Sequence, residues 1–559
     1  FYRNPPTREE MERIRVASVK VYEQILSNHE SFGVRMSDYI ALGDWRLFFY
    51  SRDRMAGVTA EQVSTSTQRY FKRDNRIAGF FVPEDTPQRA EIPAVPTVAE
   101  VLKEFKPKAA GTQAEAFDPS NANIDRRTRR LEIGGLKVAL LQKQNRGETV
   151  NLILRFHTGD EKTLFGKTAA RSFAAAMLSR GTTKLTRTQI ADELDRLKVS
   201  GRVSGLNAQM QTTRPNLAAA IRLAGQVMRE PAFPESEFEQ LRKQSLTELE
   251  SQQSDPNALA SIAMAKHFNR YPKGDPRYAA DIDESMAEIK AVTLDDVKNF
   301  HRDFYGANRG ELSIVGDFDE AEVIKALTEA FAGWKTAMPY KRLDGAYRDV
   351  AAANKAIETP DKENAVFSAR INLNVNQDDA DYPALVLMNY MMGGGAGLNS
   401  RLAERIRQKE GLSYGVGSSL SVNVIDRNGS WSARAIAAPQ NIAKVEAAFL
   451  DEIGNALRDG FTIAEVAAAK SGLLQRRLQG RAQDGSLAGL WLGYLFYGKT
   501  FADSQAFEDK IAALEPEDVL AAMRKHIDPA KMTIIKAGDF AKGAKSAVAG
   551  ENSPRTGPR

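Results

Sequence analysis

Histidine and cysteine, the side chains best suited to bind a transition metal, are few in this sequence. There is no cysteine, and the five histidines are His29, His157, His267, His301 and His526. No two histidines have the four-residue spacing of a helical zinc site, and the lack of cysteine excludes disulfides, thiolate ligands and thiol nucleophiles. We therefore expect these histidines to be surface or hydrogen-bonded structural residues, with no metal on this chain.

A glycine-rich run over residues 393–397 raises the question of phosphate binding. The run lacks the Gly-Lys-Ser/Thr ending of a phosphate-binding loop, and it follows an apolar helical segment, 384–388, rather than a strand. We expect the apolar segment to be core. The glycines are expected to end that helix and to let two backbones approach closely.

One succession of a helix and a strand occurs three times along the chain. Thr59 and Thr293 stand where helix N-caps belong, with acidic residues in the next turn. The openings lie roughly 230 residues apart, which is too long for a solenoid repeat and predicts tandem domains. The three pairs of helix opening and strand are 58–63 with 77–82, 292–297 with 312–317, and 514–519 with 532–535.

The beginnings of two of these domains also repeat. Residues 131–141, around Gly134-Gly135, and 150–156 predict a strand pair that precedes a helix over 169–178. Later in the chain, a strand-like run precedes a second helix of the same kind, over 365–375 and 382–392 respectively. These patterns predict two complete α/β domains, 127–340 and 341–545.

The rest of the chain is assigned by composition. Residues 1–85 resemble the end of an earlier domain, and 86–126 form a Pro- and Ala-rich linker that we expect to be extended. Residues 546–559 are expected to be a disordered tail. Because the chain begins at Phe1 without Met, we expect its start to be a cut or a processing site.

Bulk composition excludes several functions. With 559 residues, 42% hydrophobic and 27% charged, the chain is typical of globular proteins. The net charge is only +5 and no basic run is interleaved with aromatics, which argues against nucleic acid. No apolar stretch approaches the ~18 residues of a membrane span. The lack of cysteine fits the periplasm, although the cytoplasm stays open.

Three segments carry a resemblance to a known family. Residues 393–402 with Arg407 and the Gly-Leu-Ser-Tyr of 411–414 are similar to the carboxyl-terminal half of pitrilysin/insulinase-family metallopeptidases, and the similarity extends over 127–540. Residues 44–54 resemble the end of the amino-terminal half in long bacterial members. The resemblance implies an α+β fold of tandem α/β domains of the pitrilysin/mitochondrial-processing-peptidase type, two complete plus the end of a third.

Catalysis in that family depends on zinc held by an H-x-x-E-H helix. In the matching helix Ser172 and Ala176 take the histidine positions and Ala175 takes the position of the general base. Glu248, beside Glu250, falls near the place of the third ligand. One carboxylate without imidazoles does not hold zinc. The chain alone is therefore predicted to be inactive, with the zinc on an amino-terminal half or a partner chain.

The resemblance gives Arg407 and Tyr414 a role in substrate binding. It implies that both reach across a chamber to the zinc-bearing half and bind the substrate main chain near the cleaved bond. A phenol can donate to a developing oxyanion, and a guanidinium adds charge and fixed donors. The alternative is a surface Arg407 paired with Glu410 and a core Tyr414 at the start of a strand.

Two functions are consistent with these features. In the first, the chain is the carboxyl-terminal half of a zinc metalloendopeptidase, with peptides as substrates and a zinc-bearing half or subunit as partner. In the second, it is a non-catalytic scaffold or interaction subunit, as some degenerate family members are. A bacterial periplasmic location is expected in the first case.

Overall fold

Two mixed β-sheets organise the molecule. The computed structural model describes residues 4–27, 29–72, 96–106, 114–395 and 397–542. Helices cover both faces of each sheet, so the expected α+β fold is confirmed. The predicted strand at 77–82 and the tail at 546–559 lie outside the described residues.

The first sheet has six strands in the order β1-β2-β6-β3-β5-β4. β6 runs parallel to β2 on one side and antiparallel to β3 on the other. The strands are β1 Arg129–Ile133, β2 Leu136–Gln142, β3 Thr149–Phe156, β4 Ser200–Ser204, β5 Asn207–Thr213 and β6 Gly310–Gly316.

The second sheet repeats this topology with one strand fewer. Its order is β7-β11-β8-β10-β9, with β11 parallel to β7 and antiparallel to β8. The strands are β7 Asn354–Glu358, β8 Ala365–Leu373, β9 Gly415–Val422, β10 Gly429–Ala437 and β11 Thr533–Gly538. In both sheets the strand that comes last in sequence, β6 or β11, lies in the interior of the sheet.

The predicted pairing of β2 with β3 is wrong, because β6 lies between them. Every residue of β6 is buried. A strand buried on both faces is stable only in the interior of a sheet, where its backbone groups are paired on both sides. The local sequence around Gly134-Gly135 could indicate only the β1–β2 hairpin, which is present.

The helices follow most of the predicted positions. In chain order they are α1 Arg8–Ser27, α2 His29–Ala41, α3 Arg46–Ala56, α4 Ala60–Tyr70, α5 Val98–Leu102, α6 Asn121–Arg127, α7 Thr168–Met177, α8 Arg187–Arg196, α9 Arg214–Arg229, α10 Glu235–Gln252, α11 Pro256–His267, α12 Ile282–Ala291, α13 Leu294–Phe304, α14 Glu320–Phe331, α15 Tyr382–Asn389, α16 Ile442–Asp459, α17 Ile463–Ala482, α18 Asp484–Tyr497, α19 Phe501–Ala513 and α20 Pro516–His526. Within the described residues, no helix is long and apolar enough to cross a membrane.

The predicted N-caps are confirmed. Thr59 forms a capping box with Gln62 at the start of α4, and Thr293 forms one with Asp296 at the start of α13. In each box the threonine hydroxyl accepts a hydrogen bond from a backbone N–H that has no partner inside the helix. The caps set where the helices begin, and the β6 strand follows α13 as expected.

Each sheet is covered on one face by a helix from the other part of the chain. α18 packs across β6 and β3 of the first sheet, and α11 packs across β11 and β8 of the second. The α18 contact buries Trp491 fully against Phe501, with the ring centroids 5.0 Å apart. The α11 contact buries Met264 against the second sheet. This reciprocal exchange joins the two sheets into one body.

Part of the predicted linker is helical and packed. In α6, the Asp125 carboxylate accepts hydrogen bonds from the backbone N–H groups of Phe501 and Ala502, at the start of α19. Asn121 donates to the buried Glu508. The last residues of 86–126 are therefore fixed to the second sheet's helices. The proposed domain boundaries stay a prediction.

The amino-terminal helices rest on the first sheet's domain through charge pairs. Arg13 of α1 donates to Asp192 of α8 at 2.8 Å, and Lys20 pairs with Asp195. Ion pairs of this kind contribute little each when exposed. Within residues 4–72, the assignment as the end of an earlier domain stays a prediction.

Candidate functional site

Two of the three residues expected at the zinc-motif positions line an open cleft. Ser172 and Ala175 of α7 line a cavity of about 690 Å³ between α7, the β4–β5 turn and the segment after α14. The buried face of α7, including Phe173, packs against Phe238 of α10 and so fixes the helix. The side chains at the motif positions that face the cleft are therefore a hydroxyl and a methyl.

The β4–β5 turn lies close to Ala175, the residue expected at the general-base position. Gly205 in this turn has φ +58°, and a Cβ there would lie 3.3 Å from the Ala175 methyl and 3.9 Å from the Tyr305 hydroxyl. Tyr305 is only 4% exposed and lines the same cavity. We call this cavity the Tyr305 cleft.

The histidine at the cleft is already bound to a carboxylate. His157 Nε2 lies 2.5 Å from Glu311 Oε2, and its ring stacks on Tyr340, with a centroid distance of 5.0 Å. Phe496 packs on the same histidine. This is the hydrogen-bonded structural role expected for the histidines.

A structural zinc site brings several histidine, cysteine or carboxylate ligands together. In the described part of the chain, one cluster alone brings three ligand-type groups together: Asp379, Asp381 and His526. Lys525 donates to Asp381 at 2.6 Å and Arg427 donates to Asp379 at 2.8 Å. The carboxylates are thus neutralised by protein cations, and the cluster is a surface ion-pair network.

The remaining carboxylate that the alignment suggested lies outside the cleft. Glu248 is exposed on α10, and its side chain has no ion pair among the described residues. With Ser172 and Ala175 as its neighbours in the alignment, the donor set does not fit a zinc ion. No catalytic step through zinc is derived for this chain.

Arg407 and Tyr414 lie on the surface of the second domain. Tyr414 is 86% exposed immediately before β9, and Arg407 is exposed on a π-helical turn, Ala403–Lys409. Neither side chain has a hydrogen bond or ion pair within the described residues. Gly411, with φ +62°, separates the turn from the strand, as the sequence predicted.

In the alternative for these two residues, the pairing of Arg407 with Glu410 and the core position of Tyr414 are wrong, whereas Arg407 is on the surface and Tyr414 precedes a strand as expected. Glu410 pairs with Arg405, not with Arg407. Tyr414 is not core, because the buried Ser413 hydroxyl donates to the carbonyl oxygen of Ile436 at 2.7 Å and fixes the start of β9. The tyrosine is thereby left on the outer side of the segment.

The glycine-rich run positions this segment by close approach. A Cβ on Gly393 would lie 2.7 Å from the backbone nitrogen of Ser418 in β9. Asn389, at the end of α15, accepts hydrogen bonds from the Ser418 hydroxyl at 2.8 Å and from the Trp431 indole at 3.1 Å. The turn 390–394 is thus fixed to β9 and β10, as the prediction of a helix end with close backbone approach requires.

A second anchor holds the π-helical turn that carries Arg407. The Arg401 guanidinium donates to both carboxylate oxygens of Glu465 and to the carbonyl of Gly460. Burial opposes ionisation of Glu465, but hydrogen bonds from Arg401 and Thr462 outweigh burial and lower its pKa to about 2. The pair therefore stays ionised at neutral pH.

The structure does not bring all candidate residues together. Among the described residues, the lining of the Tyr305 cleft includes neither Arg407 nor Tyr414. Sequence reasoning missed Tyr305 and Asn389, whose roles depend on loops that are distant in sequence. Their only sequence signal is a polar side chain next to buried positions.

Parts of this chain are similar in sequence to known proteins. Residues 291–473 match the family profile described as the Peptidase M16 inactive domain. An uncharacterized zinc protease of Mycobacterium tuberculosis is 25% identical over 349 residues, which are 59% of this chain and 75% of the relative.

Two solved structures have the same fold. The peptidase M16 inactive domain from Pseudomonas fluorescens has a TM-score of 0.63 at 24% identity and covers 74% of this chain and 97% of its own. The periplasmic protease PqqL from Escherichia coli has a TM-score of 0.59 at 14% identity and covers 95% of this chain and 63% of its own.

The chain resembles the carboxyl-terminal half of the M16, or pitrilysin, peptidases. Residues 291–473 match the inactive domain of that family, and the fold is similar to that of a solved M16 inactive domain.

Proposed function

We propose that this chain is the carboxyl-terminal half of a zinc metalloendopeptidase that encloses peptides between two halves. Arg407 and Tyr414 would bind the substrate main chain at a zinc site carried by the other half. The observation that carries the proposal is that both side chains are exposed and have no partner in the described part of the chain. An exposed phenol with no partner contributes little to folding stability. Its hydroxyl can therefore donate a hydrogen bond to a substrate.

The alternative is a non-catalytic scaffold or interaction subunit of the same family. It is supported by Ser172, Ala175 and Ala176 at the motif positions and by the description of the matching profile as an inactive domain. The two proposals differ in one respect, since only the first requires Arg407 and Tyr414 to act on a substrate.

Tyr414→Phe is the decisive variant once the zinc-bearing half is supplied, on the same polypeptide or as a separate chain. Loss of a donor to the oxyanion should lower kcat about 10²- to 10³-fold. Arg407→Lys should also lower turnover, because lysine keeps the charge but loses the planar fork of donors. Tm should change little in either variant.

Matched controls are Tyr497→Phe and Arg476→Lys, a partly exposed tyrosine and an exposed arginine on other helices. They should keep full turnover. Full activity in Tyr414→Phe would remove the active-site role and favour the scaffold function.

Metal content tests the assignment of the zinc to the other half. The chain alone should hold no stoichiometric zinc and cleave no peptide. Elemental analysis that found about one zinc per chain, lost in Glu248→Gln, would contradict the alignment of the motif.

We also propose a periplasmic location. It is supported by the lack of cysteine and by the likeness to a protease described as periplasmic. Cell fractionation of the source bacterium checks it, and recovery in the cytoplasmic fraction would overturn it.

A further inference from the structure

Two hydroxyl groups in the lining of the Tyr305 cleft have no protein partner among the described residues. The Tyr305 hydroxyl has no hydrogen-bond partner in the described part of the chain, although its side chain is only 4% exposed. The hydroxyl lies beside Gly205 in the cavity wall. Thr158, which also lines the cavity, has a buried Oγ1 with no partner. Within the described residues, the Tyr305 hydroxyl is absent from the buried unpaired atoms, so it is open to the cavity and can donate to a ligand there.

The charges around these hydroxyls are positive. Arg171, on α7, lines the cleft and has no ion pair among the described residues. Arg155 and Lys341 lie at its exposed rim. The carboxylate of Glu311, which lies behind the lining residue His157, is bound to that histidine. An anion entering the cleft would therefore meet an unpaired guanidinium and no free carboxylate in the lining.

Tyr305 is suited to donate to an anion. Burial raises the pKa of Tyr305 well above its usual value, and the neighbouring Arg171 guanidinium only partly offsets that effect. The phenol therefore stays protonated at neutral pH and can donate its hydrogen. Arg171 and Tyr305 line the same cavity, so a guanidinium and a phenol are both available there, and charged donors bind an anionic oxygen strongly.

We propose that the Tyr305 cleft binds a carboxylate group, with Arg171 and Tyr305 as its donors. One guanidinium with neutral hydroxyls matches a single planar charge better than a phosphate dianion. The cavity of about 690 Å³ falls within the size range of ligand sites and accommodates the end of a peptide as well as a small acid. In this chain the position of the zinc motif would thus serve recognition of an anion.

Isothermal titration of the whole chain, without any zinc-bearing half, tests the site. The probes are a short peptide with a free carboxyl terminus, the same peptide amidated at that terminus, succinate, and inorganic phosphate. We expect the free-acid peptide to bind and the amide to bind at least tenfold more weakly. Succinate binding as tightly as the peptide would identify small acids as the source of the carboxylate.

Two conservative variants locate the site. Tyr305→Phe keeps the buried ring, and Arg171→Gln changes an exposed position, so both should fold with nearly unchanged Tm. Each should weaken binding of the carboxylate probe about 10- to 100-fold, the range for a lost hydrogen bond to a charged group. Arg476→Gln, at an exposed arginine on α17 outside the cleft, should have no effect.

The proposal fails if neither carboxylate probe binds, or if phosphate binds more tightly than both. It fails equally if Tyr305→Phe and Arg171→Gln bind as well as the unmodified chain. Because Arg407, Tyr414 and zinc take no part in this measurement, its outcome is separate from that of the peptidase proposal.

Discussion

The two sheets share one strand order but differ in what lies under the equivalent hairpin. In the first sheet, the β4–β5 turn stands off α7 and leaves the Tyr305 cleft. In the second, β9 lies directly on the turn that ends α15, with Gly393 against Ser418 and Asn389 bonded to Trp431. The strand order is therefore shared by the two sheets. A few glycines and polar side chains decide whether a cavity forms between the hairpin and the helix.

The faces of the two sheets that α18 and α11 cover, in contrast, are packed in the same way. Each is covered by a helix that follows the other sheet's hairpin in sequence, α18 on the first and α11 on the second. Because both sheets are covered in this way, we expect both contacts to stabilise the folded molecule. The contact with the larger buried side chain should contribute more to the free energy of unfolding.

Trp491→Ala should have the largest effect on stability. The side chain belongs to α18 and is fully buried between that helix and the first sheet. Its truncation should lower the free energy of unfolding by about 3–5 kcal/mol. Met264→Ala in α11, at 8% exposure, is the matched change on the other face and should cost about 2 kcal/mol. Guanidinium unfolding of both variants makes the comparison. Equal losses would mean that the two contacts are equivalent in spite of their different side chains.

Gly393→Ala tests the closed hairpin of the second sheet. The new Cβ would lie 2.7 Å from a backbone nitrogen, so β9 must shift, at a cost of about 1–3 kcal/mol. Gly454→Ala, inside α16 with open space around it, should instead stabilise the chain by about 0.5–1 kcal/mol. Thermal unfolding distinguishes the signs. Tolerance of Gly393→Ala would show that the turn is not pressed against β9.

Glu465→Gln should have the smallest effect, and that effect should depend on pH. The folded carboxyl has a pKa of about 2 against an ordinary 4.5, so its ionised form stabilises the native chain above pH 4.5. This contribution is lost as the pH falls from 4.5 towards 2. Because Glu465 is partly exposed, we expect the difference at pH 7 to stay under about 1 kcal/mol.

Unfolding of the unmodified chain and Glu465→Gln should be measured at pH 7 and at intervals below pH 4.5. The gap between them should shrink over the lower range. The control variant is Glu404→Gln, at an exposed carboxylate that pairs with Lys409. A gap that widened on acidification would contradict the assigned ion pair.

The features that depend only on residues close together in sequence could be predicted. Thr293 with Asp296 sets the start of α13 because a cap depends on residues three apart. The β1–β2 hairpin likewise depends on Gly134 and Gly135 between two strands. Both features need no knowledge of distant residues.

The unpredicted features all depend on distant parts of the chain. β6 enters between β2 and β3 from far along the sequence, and no periodicity in 131–156 could indicate that. The apolar run around Trp491 predicts burial but not that the first sheet provides it. The Tyr305 cleft is invisible for the same reason, since Arg171, Gly205 and Tyr305 meet only in the folded chain.

The candidate substrate residues came from resemblance and not from local chemistry. Arginine and tyrosine are common residue types. Arg407 and Tyr414 could be aligned with the family only because the Gly-rich run precedes them. What the structure adds is their exposure and their lack of partners within the described residues, whereas the proposed role requires a zinc-bearing half.

The helix exchange between the sheets has a consequence for synthesis on the ribosome. The last strand of the first sheet, β6, ends at Gly316, but the helix that covers its outer face begins at Asp484, roughly 170 residues later. At about 5–20 residues per second, translation leaves that apolar face without its cover for about 10–30 s. During this interval the nascent first sheet presents a natural surface for a chaperone, and slow codons between the two elements would prolong its exposure.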